Sequence, residues 1–253
     1  MLLFALVGCG AGSKPAPSRP EASKSGGQIL ADSEAALGRV TSLHVESTGL
    51  QSGQSLGVTG DIEVPGRVHV DLTQGRGSVQ FILIGTTAYF SANAAFLAAQ
   101  GMSGAVAARL ANRWIQPSSA SAFGVAGLLA ASESATIGRC TLGPHFGTTT
   151  VKGTSTLNGV PVIVLVDHGD VPGSTPRLLY LAATGPPLPL RIVQTGPQKL
   201  GGTPDATCGE TKDDVSGEST NEIDNFSRYN AARPITAPPG ALRLGALPGG
   251  NSV

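Results

Sequence analysis

The strongest constraint on this chain is a series of short apolar/polar alternations cut by glycine and proline. Leu43-His44-Val45-Glu46-Ser47 alternates, as do Leu56 to Val64 and Arg67-Val68-His69-Val70-Asp71-Leu72. Val79 to Ile84 and Thr86 to Phe90 follow, and Gly53, Pro65-Gly66, Gly75-Arg76-Gly77 and Gly85 separate the runs. Successive side chains of a strand point to opposite faces, so a period of two turns one face toward a core. Turn signals about every eight to twelve residues join such strands into an antiparallel meander. A second set reads as strands over 146–156, 160–167, 177–183 and 189–195, with Asn158-Gly159 as a hairpin turn. Asn221 to Tyr229 reads as a last strand.

Two stretches break this pattern. Ile29, Leu30, Ala36, Leu37 and Val40 share one helical face, which predicts an amphipathic helix over 28–40. Ala-rich segments at 94–100, 104–112 and 120–131 read as short helices inserted between the two strand sets. Residues 197–219 read as a loop. The segment from Ala231, rich in glycine and proline, reads as a disordered tail.

Only 13% of the 253 residues are charged, and Lys plus Arg equals Asp plus Glu. Globular chains carry about a quarter charged residues. Polarity here comes from Ser, Thr, Gly and Asn, which suits strands and turns outside the cytosol. No basic field exists to hold nucleic acid. The three cysteines are Cys9, Cys140 and Cys208. Cys140 and Cys208 lie in the folded region, in loop-like surroundings, and are read as a disulfide. In an exported protein such a closure stabilises by roughly 4 kcal/mol on the chain-entropy model. Two buried or free thiols are the other reading.

Cys9 is different. Residues 1–8 read MLLFALVG, an apolar run too short to span a bilayer but adequate for a secretory h-region. The positive residues expected before it are missing, so either the start lies further upstream or the chain has been trimmed. Leu6-Val7-Gly8-Cys9 resembles the bacterial lipobox. That resemblance implies diacylglycerol on the Cys9 thiol, cleavage before Cys9, and acylation of the new amine by a fatty acid such as palmitate. Two or three acyl chains anchor firmly, at about 0.8 kcal/mol per buried CH₂. Residues 10–27, GAGSKPAPSRPEASKSGG, read as a flexible tether.

The chain is therefore divided into a lipoprotein signal with lipobox (1–9), a tether (10–27), a folded domain (28–230) and a tail (231–253). Within the domain the order is helix, five strands, helical insert, four strands, loop, last strand. Val40-Thr41-Ser42-Leu43-His44-Val45, Val58-Thr59-Gly60-Asp61 and Ile84-Gly85-Thr86-Thr87-Ala88-Tyr89-Phe90 stand in its first half. Arg113-Trp114-Ile115, Leu157-Asn158-Gly159-Val160-Pro161-Val162 and Pro187-Leu188-Pro189-Leu190-Arg191 stand further on. In these features the chain resembles the LolA/LolB-like lipoprotein superfamily, and within it the LppX/LprG-type lipoproteins of actinobacteria. The resemblance spans about residues 28–230. It implies an α+β fold: a strongly bent antiparallel sheet, an incomplete barrel, with helices packed on its concave face. It also implies an apolar cavity between sheet and helices that takes acyl chains of lipids, glycolipids or lipoproteins.

Sites for catalysis are not supported. His44, His69, His145 and His168 lack zinc-ligand spacing, and His44 and His69 alternate with apolar residues as solvent-facing strand positions do. Gly101-Met102-Ser103-Gly104 fails as a nucleophile elbow. Asp213, Asp214, Glu218, Glu222 and Asp224 lack calcium-loop spacing and read as a solvated polar loop. No enzyme, cofactor or metal is expected. The candidate cavity residues are Phe81, Leu83, Tyr89, Phe96, Leu97, Val106, Leu110, Trp114, Phe123, Leu128 and Leu129. The same side chains could fill an ordinary core, because pockets and cores are both apolar. The leading expectation is thus a monomeric, membrane-anchored lipoprotein that binds acyl chains on the extracytoplasmic face of the cell membrane. The runner-up is a structural or interaction lipoprotein with a filled core.

Overall fold

The computed structural model describes residues 23–51, 53–117, 132–210, 212, 219–231 and 233–243. Cys9, residues 10–22 of the tether, the Ala-rich segment 120–131 and Asp213, Asp214 and Glu218 lie outside the described residues.

Helix α1 (Gly26–Leu37) starts the fold. Ser25 caps it, its hydroxyl accepting from the Gln28 amide while the Gln28 side chain accepts from the Ser25 amide. This capping box places the helix start two residues before the periodicity does. Five strands follow: β1 (Ser42–Gln51), β2 (Gln54–Glu63), β3 (Arg67–Gln74), β4 (Gly77–Ile84) and β5 (Thr87–Ala92). Then come α2 (Ala94–Ala99), α3 (Gly104–Leu110), the short β6 (Ile115–Gln116) and α4 (Ile137–Leu142). The second set is β7 (Thr149–Leu157), β8 (Val160–Asp167), β9 (Arg177–Ala182), β10 (Pro189–Gln194) and β11 (Ser219–Ser227). β12 (Leu242–Arg243) closes the order.

All twelve strands form one sheet in the order β12-β6-β5-β4-β3-β2-β1-β11-β10-β9-β8-β7. Pairing is antiparallel except between β12 and β6. The terminal strands do not pair with each other, so the barrel stays open. Irregular registers at β1/β11, β9/β10 and β7/β8 each add local twist and bend.

The registers stack inner-face residues in rows across the sheet. Leu43, Ile62, Val68, Leu83 and Ala88 make one row over β1 to β5, all buried. Ile29, Leu30 and Leu37 of α1 pack into the same core as this row and as Ile163, Leu165, Leu179 and Leu181 of the second set. The helix therefore lies on the inner face, as the amphipathic pattern requires.

The β8–β9 end is held by one buried ion pair. The Arg177 Nε lies 3.1 Å from the Asp167 Oδ2, with Asp167 fully buried and Arg177 only 14% exposed. The guanidinium also donates to the carbonyls of Leu142 (2.9 Å) and His145 (2.8 Å) and stacks 4.2 Å from the Phe146 ring centre. Asp167 Oδ1 accepts from the amides of Gly147 and Gly169. These contacts fix the chain between α4 and β7. Cys140 of α4 is bonded to Cys208 on a 3₁₀ turn (Ala206–Cys208), tying α4 to the β10–β11 connection. Gly138 lets α4 approach α1, since a Cβ there would stand 2.3 Å from the Glu34 carbonyl oxygen.

Three expectations need correction. Cys140 sits on a docked helix and not in a loop. His44 does face away from Leu43, but the outer face is covered there: His44 is 8% exposed, 2.9 Å from Asp61 Oδ1 and against the Arg228 guanidinium. Part of the expected tail is ordered. Ile235 is buried, its carbonyl accepts from Arg67 Nη1 at 2.7 Å, and the Leu242 amide donates to the Trp114 carbonyl. Composition alone does not register such long-range partners.

Replacing Asp167 with Ala leaves the Arg177 charge buried without its carboxylate. Unfolding free energy should fall by about 3–5 kcal/mol, read by urea titration of the oxidised protein.

Candidate functional site

The inner face is not filled evenly. Beside the buried first row lies a second: Phe226, Val45, Gly60, Val70, Phe81 and Phe90. A third runs Ile192, Asp224, Ser47, Val58, Leu72, Val79 and Ala92. Val45, Val58, Leu72 and Phe81 on these rows are only half-buried. They stand between two filled clusters. One is the core under α1; the other joins Val79, Phe90, Ala92, Leu97, Ala107 and Ile115 beneath α2 and α3.

Further along the strands the face turns polar. Asp224 and Glu222 are on β11, two residues apart, and so share a side with the buried Phe226. Ser47 Oγ lies 3.5 Å from Glu222 Oε1. Burial, and then the Asp224 carboxylate, push the Glu222 carboxyl up to about 7. Burial raises Asp224 as well, while Ser47 and Arg177 oppose the shift. The Glu222 side is thus open to water yet set within the sheet's curvature, and the pair avoids carrying two full charges at neutral pH. Reading these two residues as part of a solvated loop was an error of place: they are inward strand positions.

The cavity candidates separate on this frame. Phe81 borders both clusters and lies in the half-buried band. Leu83 is 1% exposed in the core that holds α1, and Leu97, on α2, is 1% exposed in the second cluster. Phe96 and Leu110 pack on the second cluster. Val106 points outward and is 44% exposed. Tyr89 pairs with Ile82 on the opposite face of β4 and β5, half-buried. Trp114 is half-buried at the β6 edge. Phe123, Leu128 and Leu129 lie outside the described residues, as does Cys9. Val45, Val58 and Leu72 join Phe81 in the band, although aromatic content and helix position did not single them out. Their signal was alternation itself, which marks them as inward.

Among the described residues, no group of three His, Cys, Asp or Glu side chains is placed to hold a metal ion. Among them too, no helix is long and apolar enough to cross a membrane.

An open, strongly bent antiparallel sheet with helices on its inner face defines the structural class. The same fold occurs in LprF from Mycobacterium bovis, with a TM-score of 0.51 at 15% identity, over 83% of this chain and 95% of that one. The lipoprotein LppX from Mycobacterium tuberculosis aligns at a TM-score of 0.47 and 15% identity, over 83% and 99%. No protein-family model and no curated protein sequence matches the chain. The expected bent-sheet architecture is therefore shared with LprF as a fold, at low sequence identity.

Because the native state raises the Glu222 carboxyl, it binds a proton that the unfolded chain has already released. Stability should fall as pH rises from the ordinary carboxylate range to about 7, then level off. Glu222→Gln should flatten that decline, read by urea midpoints at several pH values. An unchanged slope would place the titration elsewhere.

Proposed function

We propose that this protein is a non-catalytic lipoprotein of the cell envelope that takes lipid acyl chains against the inner face of its sheet. The observation that carries the reading is the half-buried band Val45, Val58, Leu72 and Phe81 between two filled clusters. An acyl chain laid there would complete the burial of these side chains, at about 25 cal/mol per Å² of apolar surface removed from water. The polar rim beyond it, with Ser47, Asp224 and Glu222, adds to the argument. A face that grades from apolar to polar matches an amphiphile, whose tail and headgroup need different surroundings. The LppX/LprG-type fold supports the same class of ligand by resemblance alone. In this reading Cys9 carries the lipid that holds the protein on the extracytoplasmic face of the membrane. The protein acts as a monomer and needs no cofactor, and its task is burial and release of the tail, not bond-making.

Native mass spectrometry of the full chain should find co-purified lipid, and a fluorescent fatty acid should bind with raised emission. Val58→Trp should reduce that uptake several-fold while leaving the urea midpoint nearly unchanged. A chain that carries no lipid and takes up no fatty acid would sink the carrier reading in favour of a filled-core interaction lipoprotein.

A further inference from the structure

Most large aliphatic side chains among the described residues are covered, but Leu200 is 65% exposed and Val171 is 40% exposed. Their loops are joined. The Gly173 amide donates to the Lys199 carbonyl (2.7 Å) and the Lys199 amide to the Ser174 carbonyl (2.9 Å). Gly202 packs so close to Gly173 that a Cβ on it would stand 2.4 Å from the Gly173 Cα. The β8–β9 and β10–β11 connections thus form one braced lobe with an aliphatic residue on each loop. Ordering two backbones around exposed aliphatic tips gives them fixed positions at no benefit to the core.

The charged groups beside these tips are engaged within the lobe. Lys199 Nζ donates to the Asp170 carbonyl. The Asp170 carboxylate accepts from the amide and hydroxyl of Thr148, both at 2.6 Å. Lys199 and Asp170 are exposed but tied within the lobe, and their opposite charges leave its tips without a net charge.

The place where the chain enters the fold names the occupant. Gly26, the first residue of α1, lies against Thr149, since a Cβ on it would stand 2.5 Å from the Thr149 carbonyl oxygen. Thr149 follows the Thr148 that holds Asp170, and Asp170 precedes Val171. The polypeptide leading back to Cys9 thus departs beside the apolar lobe. Thirteen residues lie between Cys9 and Ser23. A coil of that length has a root-mean-square reach of about 20 Å. That is under half the width, about 45 Å, of a domain of this size. A lipid on Cys9 would keep the near end of the domain at the bilayer, and the near end is the lobe.

We infer that Leu200 and Val171 are a membrane-contact site, seated in the headgroup boundary of the bilayer that holds the Cys9 anchor. The inference rests on the lipid anchor of the proposed function, but not on acyl-chain binding by the sheet. A shallow apolar contact of this kind orients a tethered domain without competing with the anchor for affinity. It turns the β8–β9 end toward the membrane and the β7–β8 hairpin away from it.

The test compares two exposed aliphatic positions at opposite ends of β8. Val160 is 43% exposed at the far hairpin, roughly 25 Å from Asp167 along the strand. The full lipidated chain is bound to phosphatidylethanolamine/phosphatidylglycerol vesicles containing brominated lipid. Tryptophan emission is then read for Leu200→Trp and Val160→Trp against the parent, which carries Trp114 in all three. The emission added by Leu200→Trp should be quenched several-fold more than that added by Val160→Trp, and equally at low and high salt. Equal quenching, or none at Leu200→Trp on vesicle-bound protein, overturns the contact site and leaves the anchor standing. A chain that does not float with vesicles overturns the anchor and the contact together. Fatty-acid uptake is read separately, so loss of one result does not imply loss of the other.

Discussion

The Asp167–Arg177 pair is the interaction on which the second half of the molecule depends. A buried ion pair is not a strong source of stability by itself, because desolvation cancels much of its attraction. Here its value is positional. Arg177 uses its remaining donors on the carbonyls of Leu142 and His145, and Asp167 receives two backbone amides. Every polar group of the pair is therefore answered, and the segment from α4 to β7 has one place to lie. The disulfide at Cys140 joins α4 to the 3₁₀ turn, and the buried Ile137 and Leu142 seat α4 in the core.

This arrangement steadies the second half of the fold apart from the half-buried stretch of the inner face. The row nearest α1 is packed as a conventional core, and α4 is clamped to α1 through Gly138. A disulfide that closes a long loop adds stability that does not come from filling the concave side, and the ion pair fixes where the chain lies. The half-buried band at Val45, Val58, Leu72 and Phe81 can then persist. The same reasoning accounts for Glu222 and Asp224. Two carboxylates on an inward face would be costly in a packed core, and are tolerable where the face is open enough for water and for one retained proton.

The strands were legible because alternation is a direct consequence of backbone geometry. The Val160–Asp167 strand lies where its apolar run and the Asn158-Gly159 turn place it, and β3 to β5 fall within two residues of their alternating runs. What alternation does not contain is what covers each face. His44 alternates as a surface residue should, yet Arg228, far away in the chain, lies over it. Glu222 and Asp224 alternate with Ile223, which is 36% exposed, so the apolar residue points out and the acids point in. A rule that equates apolar with inward inverts that strand. The order of Ile235 rests on Arg67 and Glu63, partners that no local window contains.

The candidate site was legible only in part for a related reason. Searching for large and aromatic side chains finds Phe81, but it also finds Leu83 and Leu97, which are core, and Val106, which is exposed. Volume and hydrophobicity describe what a residue can fill, whereas a binding surface is defined by what its neighbours fail to fill. Val45 and Val58 are ordinary strand valines, distinguished from Val68 and Val70 by being half-buried where those are buried. The half-buried band is thus set by tertiary neighbours, and it becomes readable only when sheet and helices are placed.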